Sequence, residues 1–211
     1  LVFGRKSNGE IVGYGNVPPS QYTTPPGDRG LFAGGYDTIN VIDYITISTP
    51  GNAIDFGDLS QSPFGNHGRY GFVSVSSTER AVFGGGPSRY TMEYVTISTT
   101  GNGVLFGNLS HEHYYGAGAS SNTRGLFAGG STTVDCKNIE YVTISTLSDA
   151  YNFGNLLTDG LYGAGLSSPT RAVFANGSYS LPRGPIEYVT IATTGNATNF
   201  GDMPSKGYFG G

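Results

Sequence analysis

Between Asn138 and Ser145 the chain reads NIEYVTIS, with Ile139, Tyr141 and Thr143 on one side and Glu140, Val142 and Ile144 on the other. Alternation rich in β-branched and aromatic residues predicts a strand, and apolar groups on both of its faces predict that both are covered. Around it the same unit holds three further strand signals. Tyr114 to Ser120 ends in the polar turn Ser121-Asn122-Thr123, Gly125 to Ala128 stops at Gly129-Gly130, and Ala150 to Leu156 closes the unit. Connections this short favour antiparallel neighbours in a meander. No segment keeps a 3.6-residue period, so almost no helix is expected.

The pattern recurs. Copies open at Arg29, Arg80, Arg124 and Arg171, which lie 51, 44 and 47 residues apart. Each carries a central Tyr (Tyr44, Tyr94, Tyr141, Tyr188) and ends in Phe-Gly (Phe56-Gly57, Phe106-Gly107, Phe153-Gly154, Phe200-Gly201). A period of about 40 to 50 residues points to a propeller or solenoid. Four-stranded sheets sandwiched between copies of themselves are propeller blades.

The expected architecture is therefore one all-β domain over residues 1–211, a five-bladed β-propeller of antiparallel four-stranded blades. Full repeats cover about 20–59, 60–109, 110–156 and 157–203. The fifth blade is expected to close with strands from both termini. Residues 1–17 end like a fourth strand, in aromatic-Gly-Asn-aliphatic, and residues 204–211 resemble an inner strand. Such closure removes free sheet edges. Prolines 18, 19, 25 and 26 leave little regular strand between the first segment and the first full copy. If the chain continues beyond Gly211, the number of blades changes.

Composition narrows the classes. The 35 Gly, 15 Tyr and 12 Phe with 12% charged residues suit a β protein with many tight turns, not a disordered linker. A net charge of −4 gives no footprint for nucleic acid, and no apolar run reaches the length of a membrane span. The single cysteine, Cys136, excludes an intrachain disulfide and reads as a packed or exposed thiol. The chain opens at Leu1 without a signal-peptide pattern, compatible with a removed start or a piece of a longer chain.

The Gly-Gly pairs after the second strand (Gly34-Gly35, Gly85-Gly86, Gly129-Gly130) and the aromatics of the later strands resemble kelch-type propeller repeats. The fourth copy departs from this with Asn176-Gly177, and the chain has no Trp. The Gly/Thr-rich wording of Ile186 to Met203, IEYVTIATTGNATNFGDM, is similar to repeats in virion structural and tail-fibre-associated proteins of marine tailed phages. The likeness covers residues 29 to 203. It implies a virion or extracellular component, whose partners are other virion proteins and a host-surface glycan, and is compatible with a homo-oligomer. The alternative is a secreted kelch-like carbohydrate-binding protein or enzyme. Host, receptor and oligomeric state are not written in the sequence.

Comparison among the copies separates scaffold from candidate site. The turns Ser76-Ser77-Thr78, Ser120-Ser121-Asn122 and Ser167-Ser168-Pro169, with Thr100-Gly101-Asn102 and Thr194-Gly195-Asn196, barely change. The loops on the other face differ in every copy, and they carry Tyr36, Arg89, Tyr90, His111, His113, Tyr179 and Arg183. Unlike loops on a repeated scaffold are where recognition can sit, and aromatic and Arg groups are the usual anchors. The plainer reading is that these loops drift because nothing constrains them.

No catalytic residue is nominated, and no cofactor or metal is expected. His111-Glu112-His113 lacks the third ligand and spacing of a zinc site and reads as solvated loop histidines. Acids such as Asp55 and Asp58 are replaced in other copies, which argues against repeated calcium sites. The repeated pair of Arg29, Arg80, Arg124 and Arg171 with Asp43, Glu93, Glu140 and Glu187 reads as structural. Each acid is expected to hold backbone N–H groups or a basic partner at a seam between blades.

Overall fold

The computed structural model describes residues 2–5, 11–14, 28–35, 39–60, 69–87, 89–130, 137–177 and 184–204. All regular structure among them is β-strand. β1 (Val2–Arg5) and β2 (Ile11–Tyr14) form a two-stranded ladder with Val2 opposite Tyr14. Sheet I holds β3 (Arg29–Ala33), β4 (Val41–Thr46) and β5 (Ile54–Asp58). Sheet II holds β6 (Val73–Ser76), β7 (Arg80–Gly84), β8 (Thr91–Thr96) and β9 (Val104–Asn108). Sheet III holds β10 (Ala117–Ser120), β11 (Arg124–Ala128), β12 (Asn138–Thr143) and β13 (Tyr151–Asn155). Sheet IV holds β14 (Leu161–Ser167), β15 (Arg171–Gly177), β16 (Pro185–Thr190) and β17 (Thr198–Asp202). All are antiparallel meanders in chain order.

Of the five blades expected, four repeat sheets are seen. The described residues form four repeat sheets and one hairpin, and no ladder joins β1–β2 to another sheet. Sheet I has three described strands. The residues that would supply its first strand (15–27) and the tail counted toward a fifth blade (205–211) lie outside the described residues, as does Cys136.

Local chemistry explains the repeated words. Ser77, Ser121 and Ser168 close the turn before each Arg: the Ser Oγ accepts the N–H of Arg80, Arg124 and Arg171, each at 3.1 Å. In every sheet the register slips beside the acid, between Ile42/Asp43, Met92/Glu93, Ile139/Glu140 and Ile186/Glu187. The extra residue on the facing strand is the Phe of Phe-Gly, as in the step from Gly154 to Asn152 across Phe153. A bulge re-aims a side chain, and here Phe56, Phe106 and Phe153 are buried in the joints between sheets.

The core consists of three joints rather than one centre. Between sheets II and III, Val82, Met92 and Phe106 meet Phe127, Val142 and Ile144. Between III and IV, Leu126, Ile139 and Phe153 meet Phe174, Val189 and Ile191. Between I and II, Ile42, Phe56 and Leu59 meet Phe83, Val95 and Ile97. Thus Ile139 and Val142, on opposite faces of β12, fall into different clusters, and both faces of the strand are covered.

Each joint is pinned at its ends. Arg29, Arg80 and Arg124 stack over the Tyr of their own sheet, 4.3, 4.6 and 4.2 Å from the ring centres. Their Nη1 atoms reach the next sheet, Arg29 donating to Ile97 O at 2.8 Å, Arg80 to Ser145 O at 2.9 Å and Arg124 to Ile191 O at 2.8 Å. Lysine keeps the charge but loses the flat stack and the fork. Arg124→Lys is therefore expected to lower stability by about 1 kcal/mol, measured as a urea midpoint shifted at unchanged slope.

Candidate binding face

The described ends of the loops that differ among copies, such as Gly35 and Ile39, lie at the same end of the sheets as the segments leading into β6 and β10. A cavity of about 620 Å³ opens there. Its lining includes Gly35 and Ile39 of sheet I, Arg69, Tyr70 and Phe72 before β6, and Tyr115 before β10. Phe32, Val41 and Asp43, on the uncovered side of sheet I, also border it.

Aromatic packing shapes this end. Tyr114 stacks on Tyr115 at 4.0 Å between ring centres and meets Tyr70 edge-on at 5.7 Å. Burial, with hydrogen bonds to Tyr115 and Tyr70, pushes the Tyr114 hydroxyl well above the ordinary tyrosine range. His113 and Tyr115 hold positive φ of 44° and 56°. Such conformations cost on the order of 1–3 kcal/mol and persist where the surroundings enforce them. Here the Tyr115 N–H donates to Gly71 O at 2.7 Å and the His113 ring is anchored on both sides.

The repeated acids lie beneath this face, at the seams. Glu140 accepts the N–H of Ser110 at 3.0 Å and of His111 at 3.1 Å, the Ser110 hydroxyl at 2.7 Å, and His113 Nε2 at 2.9 Å. His113 Nδ1 lies 2.7 Å from Gly129 O, so each ring nitrogen has a partner. Burial pushes the Glu140 carboxyl up, but the hydrogen bonds from His113 and Ser110 and the charge of His113 outweigh it. The net result is a pKa held down from 4.5 to about 2. Glu187 accepts from Leu157 N at 2.7 Å and Thr158 N at 3.0 Å. Glu93 accepts from Ser60 N at 2.9 Å and from the Ser60 hydroxyl, and it faces Arg69 Nη1 at 2.9 Å. Each of these Glu residues thus ties its own sheet to the connector leaving the preceding one. Asp43 is half-buried and makes no such bond among the described residues.

Arg69 carries the largest unmet demand. It is buried, donates Nη2 to Thr91 O at 2.8 Å, and pairs with Glu93 outside hydrogen-bond geometry. Its Nε, and Nη2 of the buried Arg89, have no hydrogen-bond partner among the described residues. Burial pushes both guanidinium groups below the ordinary range, with Glu93 acting against it.

The candidate residues separate accordingly. Tyr90 is exposed on the loop before β8, and His111 is partly exposed, with its ring 2.7 Å from Asn138 Nδ2. Arg89 and His113 are both buried, which corrects the expected solvated His113. The reason for His113 is a buried carboxylate that requires a partner. Tyr36, Tyr179 and Arg183 lie outside the described residues. No group of three His, Cys, Asp or Glu able to hold a metal occurs among the described residues. Sequence reading missed Arg69. It occupies the repeat position of His113, four residues before the first strand, and aligning that position among copies exposes the alternation of Arg with His.

Neither a family profile nor a curated protein sequence matches the chain. Among solved structures, the hydrazine synthase of Kuenenia stuttgartiensis is similar at a TM-score of 0.53 and 9% identity, over 78% of this chain and 43% of that one. A prolyl endopeptidase structure matches at a TM-score of 0.40 and 11% identity, over 84% of this chain and 29% of that one. The chain spans less than half the length of either structure. Stacked antiparallel sheets and the first of these likenesses define the class: an all-β repeat protein with a β-propeller-like fold.

Proposed function

We propose that this chain is a non-enzymatic virion component that turns its non-repeating face toward a host-surface glycan or a neighbouring virion protein. The cavity at that face carries the reading. It brings together Tyr70, Phe72, Tyr115 and Ile39, and flat aromatic faces with an apolar wall suit sugar rings. The resemblance of Ile186 to Met203 to phage virion repeats supplies the setting. The acids offer further support, since Glu93, Glu140 and Glu187 are engaged in holding sheets together. Binding through many copies on a particle multiplies weak single contacts.

Location in an assembled particle tests this. Single biotin labels, at Tyr90→Cys beside the cavity face or at Thr99→Cys on the repeated turns, are introduced into a Cys136→Ser background. Streptavidin is expected to capture intact particles through the Tyr90 label. Capture through the Thr99 label alone would point to the opposite orientation and refute host contact by the variable face.

A further inference from the structure

One seam between sheets differs from the other two in charge. Between II and III the buried Glu140 faces His113, a group that can be neutral. Between III and IV the buried Glu187 takes N–H groups of Leu157 and Thr158 and the Thr158 hydroxyl. Between I and II the equivalent Glu93 takes the N–H and hydroxyl of Ser60 in the same manner. Here, however, two guanidinium groups also feel its charge, those of Arg69 and Arg89.

Both arginines are buried, at 1% and 8% exposure. One buried carboxylate therefore stands against two buried cations, and one positive charge is left over. Burial pushes both guanidinium groups below the ordinary range and Glu93 opposes this, while the charge of Arg89 pushes Arg69 down further. Arginine does not relieve such a surplus by losing its proton. A buried charge needs a counter-charge.

The unmet donors say what kind of group supplies it. Nε and Nη1 of Arg69 and Nη2 of Arg89 have no acceptor among the described residues, and the one side-chain hydrogen bond of Arg69 runs from Nη2 to Thr91 O. Guanidinium forks match the paired oxygens of a carboxylate or sulfate and hold them by charge-assisted bonds. Water would occupy these donors but leave the charge. Arg69 also belongs to the wall of the 620 Å³ cavity, beside Tyr70 and Phe72, with its guanidinium carbon 5.9 Å from the centre of the Phe72 ring. Among the described lining residues it is the one cation, and Asp43 of sheet I is the one acid.

We infer that Arg69 and Arg89 form an anion site at the seam of sheets I and II, which takes a carboxylate or sulfate group. The group completes the cluster of Arg69, Glu93 and Arg89 as its second negative charge. Two sources share this chemistry, a free ion and the acid group of a glycan seated in the adjoining cavity. The glycan source rests on the binding reading above; the anion site itself does not.

Thermal unfolding in low-millimolar sodium sulfate, against sodium chloride at matched ionic strength, tests the site. The wild type is expected to show a saturating rise in Tm of about 2–4 °C with sulfate. Arg89→Gln is expected to show none, and Arg89→Lys, which keeps the charge but not the fork, a smaller rise. No sulfate-specific rise in the wild type, or equal rises in all three proteins, would overturn the site. Calorimetry with a uronate oligosaccharide and its carboxyl-reduced form separates the sources. Binding of the uronate at least about tenfold tighter than the reduced form, lost in Arg89→Gln, supports the glycan source. Equal binding of the two forms would overturn that source and leave the binding reading standing. Binding of neither would contradict the binding reading, while the sulfate response still decides the anion site.

Discussion

Glu140→Gln lowers stability by about 3 kcal/mol at neutral pH and removes much of the acid sensitivity of the fold. The carboxylate is buried and saturated by Ser110, His111 and His113. Its pKa falls from 4.5 to about 2 on folding, so the folded state favours the ionised form. The contribution is therefore complete above pH 4.5 and fades as pH falls through about 2. Glutamine retains one acceptor oxygen but places an amide against His113 and the Ser110 N–H. Urea unfolding at pH 7, pH 4 and pH 2.5 measures the effect. Wild type and variant should differ most at pH 7 and converge at the acid end; parallel profiles would rule out Glu140 as the titrating link.

The second large effect is at Gly154→Ala. A Cβ there collides with the Gly195 carbonyl of the next sheet, and the φ of +153° is one that side chains rarely adopt. Relief would require separating β13 from the turn it meets, where Gly195 N donates to Phe153 O and Ala197 N to Asn155 O, both at 2.8 Å. Backbone strain and two lost hydrogen bonds together amount to about 3 kcal/mol. Gly101→Ala is the matched control: nothing lies within 4 Å of its Cβ, and its φ is not positive. It should stay within about 0.5 kcal/mol of wild type. Equal losses at the two sites would show that the close approach of neighbouring sheets is not what fixes Phe-Gly.

These contrasts show what could be read from the sequence. The strands were legible because each repeats its alternation four times, and Ile139/Val142 announced two covered faces. The acids were marked as structural by recurrence at one position. Their partners were not legible, since Ser60, Ser110 and Thr158 lie in connectors whose sequences differ. The bulge that turns Phe153 into a joint was invisible because register depends on pairing, not on composition. His113 misled for a related reason. A histidine in a variable loop reads as solvated until the fold places it on Glu140. The closing blade falls largely outside the described residues, whose terminal part shows only the β1–β2 hairpin.

The central claim is that the repeats hold sheets together while the face that does not repeat recognises a ligand. Retention on a glycan array tests it most directly, comparing wild type with Ile39→Glu in the cavity wall and Thr99→Arg on the repeated turns. Ile39 is exposed and both changes should leave the fold intact. The account predicts specific retention that falls at least about tenfold, some 1.4 kcal/mol, with Ile39→Glu and is unchanged with Thr99→Arg. No retained glycan, or a loss with Thr99→Arg alone, would contradict it.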